Sequence, residues 1–246
     1  MKVFRIVVTA NAIVIAQTII CGLSILPAAL LWRGGVASTS TGSMWDIVVA
    51  SVLVMPAYIV FALCLMPVSA IIMRLLGART PPDAELRISE MSWPLMKWVQ
   101  YMSAAHIVRL VSGSMFRGSP LWTAYLRMNG ARVGKRVFIN TLSISDHNLL
   151  VLGDDVVIGA DVHISGHTVE DGMLKTAGVR VGSRVTIGLG SAIDIDVNIG
   201  DGCQIGALTI VPKHTRLDAD AVYVGIPARK LSDRASDTLG RVVAPR

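Results

Sequence analysis

From Val181 onward an aliphatic residue recurs every six positions without a slip: Val181, Ile187, Ile193, Ile199, Ile205, Val211 and Leu217. Neither the period of an α-helix nor the alternation of an ordinary strand gives six. Leu152, Ile158 and Ile164 form a second set in phase, and Val133 with Ile139 starts the series. Gly follows the aliphatic at 134, 153, 159, 182, 188, 200 and 206, and the position four after it holds Val137, Val156, Val162, Val185, Ser191, Val197, Cys203, Thr209 and Thr215. A triangular coil that spends six residues per face accounts for this pattern. One aliphatic per face points inward, a smaller residue fills the space beside it, Gly helps turn the corner, and stacked coils bury a continuous core. Residues 131–230 are therefore predicted to be an all-β hexapeptide-repeat solenoid. The phase breaks between 139 and 152 and again between 164 and 181. The second break, Ser165 to Arg180, must leave the coil as a loop, and loops on rigid scaffolds tend to carry function.

The chain before the coil obeys different rules. The full sequence is 52% hydrophobic and only 16% charged, which is too apolar for an ordinary soluble protein. Two uncharged runs of 27 residues, Ile6 to Trp32 and Ile47 to Met73, explain the excess, and each is long enough to cross a bilayer. The first is about twice a signal-peptide core, so a retained helix is expected. Lys2 and Arg5 precede the first run, Arg33 alone marks the loop between them, and Arg74, Arg79 and Arg87 follow the second. That asymmetry predicts an integral inner-membrane or plasma-membrane protein with two transmembrane helices, cytoplasmic termini and a cytoplasmic β-domain. Residues 1–79 would be a helical hairpin turning at Gly34 to Ser43, with Pro27, Pro56 and Pro67 as possible kinks. Thr80-Pro81-Pro82-Asp83 breaks the chain. Ile88 to Val111, with Trp93, Lys97, Trp98, Tyr101 and Arg109, then reads as an amphipathic helix on the membrane surface or as a soluble helix packed on the downstream domain. Residues 80–130 are thus an interfacial segment and linker, and 231–246 a polar tail.

The net charge of +6 is uneven, since residues 1–130 carry 10 Lys or Arg against 4 Asp or Glu, while the rest carries 13 of each. All five Trp lie in the same basic half, a pairing that suits a lipid headgroup surface and not nucleic acid. Cys21, Cys64 and Cys203 form no CxxC pair, so neither a disulfide framework nor a thiolate zinc site is indicated.

Three features together carry a family resemblance: the repeats, the segment Ile164-Ser165-Gly166-His167, and the ending Val224-Gly225-Ile226-Pro227-Ala228-Arg229. The chain resembles the left-handed parallel β-helix acyltransferases of the hexapeptide-repeat superfamily. It is also similar to the membrane-embedded C-terminal units of poly-lysine synthetase-type peptide synthetases. That second likeness runs over most of residues 45–230, on Arg117-Gly118-Ser119-Pro120, Tyr125-Leu126-Arg127, Gly130-Ala131-Arg132-Val133-Gly134, His167 to Lys175, and Asp196. The resemblance implies a membrane α-helical hairpin plus a left-handed parallel β-helix, a homotrimer with sites between neighbouring coils, and His167 as catalytic base. It also implies a donor thioester on phosphopantetheine, either acetyl-CoA or an acyl carrier, and as partners the lipid bilayer and a carrier protein or peptide synthetase. Related coils hold zinc through three His, but the spacing of His147, His163 and His167 fits that pattern poorly, and no metal is expected.

An imidazole at position 167 can take the acceptor's proton as it attacks the thioester. Glu170 is the second candidate catalytic group, able to orient the imidazole. Asp146, Asp171, Lys175 and Asp196 are candidate substrate-binding residues, the carboxylates for an ammonium acceptor or for the imidazole itself. Lys213, Gly225, Arg229 and Lys230 are candidates for the donor, through its phosphates or its pantetheine tunnel. Acyl transfer to a sugar hydroxyl or amine, amide-forming aminoacyl transfer, and a catalytically silent trimeric scaffold all remain open at this point.

Overall fold

The computed structural model describes residues 2–37 and 44–231. Of the expected hairpin turn at Gly34 to Ser43, residues 34–37 are helical, and residues 38–43 with most of the polar tail lie outside the described residues. Contacts divide the chain into two units: residues 1–79 with 96–115, and 80–95 with 116–246. This grouping differs from a division at 79 and 130, because the segment after the apolar runs is shared between the units.

In the first unit α1 (Lys2–Ala37) and α2 (Met44–Leu75) pack along one another. At 36 and 32 residues they are long and apolar enough to cross a bilayer. Both stay helical through Pro27, Pro56 and Pro67. The buried positions Ala16, Ile20, Ser24 and Ala28 recur in steps of four along one face of α1, and the three small ones let two apolar helices approach closely. The helix expected over 88–111 begins later, as α3 (Trp93–Val108), and continues into a π-helical stretch, Arg109–Gly113. Ser112 Oγ donates to the Ala62 carbonyl at 2.8 Å, and the Tyr58 hydroxyl donates to the Val111 carbonyl at 2.6 Å. That stretch is therefore bonded to α2.

The second unit is the coil. Thr186 pairs with Gln204, Ala192 with Ile210, and Asn198 with Arg216, all parallel and all 18 residues apart, giving three sheets of six residues per face. The six-residue aliphatics from Ile139 to Leu217 are buried, as are the smaller Val156, Val162, Val185, Ser191, Val197, Cys203 and Thr209. Each coil turns three residues after its aliphatic. There Asp155, Asp161, Arg184, Asp196, Leu208, His214 and Asp220 adopt left-handed backbone, with φ between +53° and +60°. Asp tolerates that conformation through local hydrogen bonding, which suits the four Asp at these corners.

The two phase breaks have different structural outcomes. The first adds one residue, since Arg132 pairs with Val151 across 19 positions. The second spaces Val151 and Arg180 29 positions apart, and the extra chain is an ordered hairpin, His167–Glu170 against Met173–Thr176. Its turn, Asp171-Gly172, has φ of +49° and +72°, the geometry that matches the twist of a hairpin and favours Asp-Gly. A third strand, Ala84–Arg87, pairs antiparallel with Met173–Thr176. The Thr80–Leu95 segment thus belongs to the coil through this sheet.

Candidate active site

The hairpin leaves the coil at Ser165-Gly166, and its first residue is His167. His167 Nδ1 lies 2.6 Å from Asp146 Oδ2. Asp146 is 1% exposed and sits one coil earlier with φ of +52°. Oδ2 also accepts from Ser145 Oγ at 2.7 Å and from the Gly166 N–H at 3.2 Å, while Oδ1 accepts from Thr80 Oγ1 at 2.7 Å. Burial alone would raise this carboxyl, but the hydrogen bond and charge of His167, then the Thr80 and Ser145 hydroxyls, outweigh it and hold the carboxyl down at about 2. Asp146 is therefore an ionised acceptor, and Nδ1–H is the tautomer that it selects.

Gly166 makes this approach feasible. A Cβ at that position would lie 2.7 Å from Asp146 Cβ and 3.2 Å from Leu149 Cδ1. Ser165 Oγ donates to the His167 carbonyl at 2.7 Å, tying the start of the hairpin. A cleft of about 430 Å³ opens beside the imidazole, lined by His163, Ser165, His167, Val169, Asp194 and Val211 among others.

The other candidates are placed differently. Both Glu170 oxygens lie 2.6 Å from Lys213 Nζ, and Lys175 Nζ is 3.8 Å away. The Lys213 hydrogen bond lowers the Glu170 carboxyl, and the same bond raises the ammonium. The structure thus pairs Glu170 with Lys213 and gives the imidazole to Asp146. Asp171 is the first residue of the hairpin turn. Asp196 is a coil corner whose carboxylate meets His214 Nδ1 at 2.9 Å and Arg216 at 2.7 Å, contacts that tie adjacent turns; the Arg216 hydrogen bond, after that of His214, lowers it. Lys213 joins Glu170 and Lys175 near the hairpin. Gly225, at φ +96°, and the strand Arg229–Lys230 close the coil's end, where Lys230 Nζ lies 3.2 Å from Asp218. His147 is buried edge-on to Tyr125, with Nε2 3.2 Å from the Ile144 carbonyl. Among the described residues no three of His, Cys, Asp and Glu gather as a metal site.

Thr80, Ser145, Ser165, His163 and Asp194 were not singled out as site residues from sequence. One signal was present for two of them. Where most other repeats place Gly after the inward aliphatic, the sheet of Ile164, Ile193 and Val211 has Ser165, Asp194 and Pro212. Two of these three departures, Ser165 and Asp194, border the cleft.

No family model matches the chain. Delta-poly-L-ornithine synthetase of Acinetobacter baumannii is 30% identical over 112 residues, covering 46% of this chain and 8% of that protein. Galactoside O-acetyltransferase of Escherichia coli is 31% identical, over 41% of this chain and 53% of the relative. UDP-3-O-acylglucosamine N-acyltransferase of Delftia acidovorans is 30% identical, over 43% and 34% respectively. The chain thus spans from under a tenth to about half the length of these curated relatives. Among solved structures, a hexapeptide-repeat acetyltransferase of Vibrio cholerae with acetyl-coenzyme A is 23% identical, over 42% of this chain and 60% of that one, with a TM-score of 0.39. Over somewhat less than half its length, then, this chain is similar to hexapeptide-repeat acyltransferases, a poly-amino-acid synthetase among its relatives.

Proposed function

We propose that the protein is a membrane-anchored acyltransferase that moves an acyl group from a phosphopantetheine thioester to a hydroxyl or amine, with His167 as general base. The observation that carries this reading is the His167–Asp146 pair, whose imidazole lines the cleft. With Nδ1–H given to Asp146, the Nε2 lone pair takes the acceptor's proton as its oxygen or nitrogen attacks the thioester carbonyl. The C–S bond then breaks, the departing thiolate recovers that proton from the imidazolium, and ester or amide and free thiol result. Asp146 stays ionised throughout and stabilises the transient imidazolium, the role of the buried carboxylate in a hydrolase triad. The acyltransferase names of the relatives support the reaction class.

In this reading α1 and α2 anchor the chain in the bilayer, and three left-handed coils meet so that a neighbouring copy completes the pocket. Lys213, Gly225, Arg229 and Lys230 are proposed donor contacts, with Lys175 and Asp171 on the acceptor side. Amide-forming aminoacyl transfer from a carrier protein is the second reading, favoured by the similarity to the ornithine synthetase.

Thiol release by the detergent-purified protein tests both. The protein is offered acetyl-CoA or an aminoacyl-loaded carrier, with pooled amines and alcohols, beside His167→Ala. Acceptor-dependent release that the variant loses is expected, and the productive donor separates the two readings. No release with any donor, from folded protein, would leave a scaffold.

A further inference from the structure

The segment that joins the coil from its N-terminal side is bonded at Thr80 to Asp146 and beyond it to the hairpin that bears His167. Thr80 is 0% exposed, and its hydroxyl donates to Asp146 Oδ1 at 2.7 Å. Its backbone is held in turn: the Thr80 carbonyl accepts from Asn148 Nδ2 at 2.9 Å, and its N–H donates to Asn148 Oδ1 at 3.3 Å. Thr176, which faces His167 across the hairpin, donates its hydroxyl to the Pro81 carbonyl at 2.6 Å and accepts from the Ala84 N–H at 3.1 Å. Ala84–Arg87 then runs as the outer strand of the hairpin's sheet, and the Ile88 N–H closes it on the Gly172 carbonyl at 2.9 Å. One continuous strap, residues 80–88, therefore holds both the carboxylate and the hairpin that bears the imidazole.

Its placement follows from chemistry. The torsion that orients a carboxylate is soft and twofold, so contacts on Oδ2 alone leave Asp146 able to rotate away from His167. A buried hydroxyl on Oδ1 fixes that torsion. Pro81 and Pro82 favour extended backbone for the residues before them, which directs the strap along the hairpin edge.

We infer that Thr80 is a positioning residue that sets the Asp146 carboxylate, and through it the tautomer and orientation of His167. The inference rests on His167 being the base. Its test compares Thr80→Val, which keeps the shape and removes the donor, with Thr80→Ser, which keeps the donor. In the full-length protein in detergent, Thr80→Val is expected to lower kcat about tenfold, as loss of an outer orienting partner does elsewhere, with KM for donor and acceptor unchanged. Thr80→Ser restores the rate. A merely structural role would not move the tautomer. In protein labelled with ¹⁵N-histidine, with the His167 signal identified by its loss in His167→Gln, wild type and Thr80→Ser are expected to hold one tautomer and Thr80→Val a mixture. An unchanged rate and unchanged tautomer in Thr80→Val overturn the inference. Should the wild type transfer no acyl group, the base assignment fails separately, and the tautomer alone decides: the same spectrum in wild type and Thr80→Val overturns the positioning role.

Discussion

His167 Nδ1 and Asp146 Oδ2 stand 2.6 Å apart although 21 residues separate them in the chain. The coil brings one turn beneath the next, and the missing Cβ of Gly166 lets the hairpin close on the carboxylate. An acidic partner for the imidazole is supplied by stacking, while of the nearer acids in sequence Glu170 meets Lys213 and Asp171 forms the hairpin turn.

Asp146→Asn is expected to keep the fold and cut kcat by at least about a hundredfold, since a mispaired tautomer costs up to about 10⁴ in a comparable triad. An amide can donate to Nδ1, which would place the proton on Nε2 and leave no base facing the acceptor. Single-turnover thiol release beside a thermal melt checks this, and a rate near wild type would remove Asp146 from the mechanism.

The same carboxylate makes stability depend on acid. Its folded value of about 2 lies below the ordinary 3.8, so the native state resists protonation and the unfolded chain accepts it. The contribution is fully present above 3.8 and is lost as pH falls through 2. A shift of that size corresponds to about 2 kcal/mol. Denaturation followed from pH 6 down to pH 2 should show the gap between wild type and Asp146→Asn narrowing at the acid end, and a constant gap would contradict it.

Glu170→Gln separates the two acids of the site. Because both Glu170 oxygens meet Lys213, the substitution should reduce kcat by less than about tenfold, far short of what losing the base or its partner costs. Lys213→Met should do the same, and the double variant should be no worse than either, the non-additivity expected of a contacting pair. A collapse of kcat in Glu170→Gln alone would bring that carboxylate into the chemistry.

The coil, its two interruptions and His167 were legible in the sequence because each leaves a local mark: a six-residue period, a slip in phase, and a motif at the slip. The hairpin was also encoded, in Asp171-Gly172 between short alternating segments, but the slip drew attention to a loop. Thr80 left no local mark. Thr80-Pro81-Pro82-Asp83 looks like a chain break, and nothing within it announces a hydrogen bond 66 residues away or a strand paired to residues 173–176. In sequence Glu170 and Asp146 are both candidate partners of the imidazole, and only the stacking of coils, which makes residues about one turn apart neighbours, decides for Asp146.

Gly166→Ala and Gly172→Ala should part company. At Gly166 the added methyl meets Asp146 Cβ at 2.7 Å, and overpacking of this kind costs about 1–3 kcal/mol while pushing the imidazole from its partner. At Gly172 no heavy atom lies within 4 Å, but φ is +72°, which costs about 1–2 kcal/mol for a residue with a Cβ. Both variants should melt lower, and only Gly166→Ala should lose most of its kcat. Equal losses of activity would detach the rate from the Asp146 contact.

Leu208 is the aliphatic among corner positions otherwise filled by Asp, Gly, His and Arg. It holds φ of +56° with its side chain 65% exposed, so it bears the left-handed penalty without burying its apolar surface in the chain. Leu208→Asn should therefore stabilise the coil by about 1 kcal/mol, as a side chain better suited to that backbone replaces one that is not. A higher melting temperature with an unchanged mass in detergent is the expected result. A lower one, accompanied by loss of oligomer, would mean that the leucine is covered by another copy and that its strain is offset there.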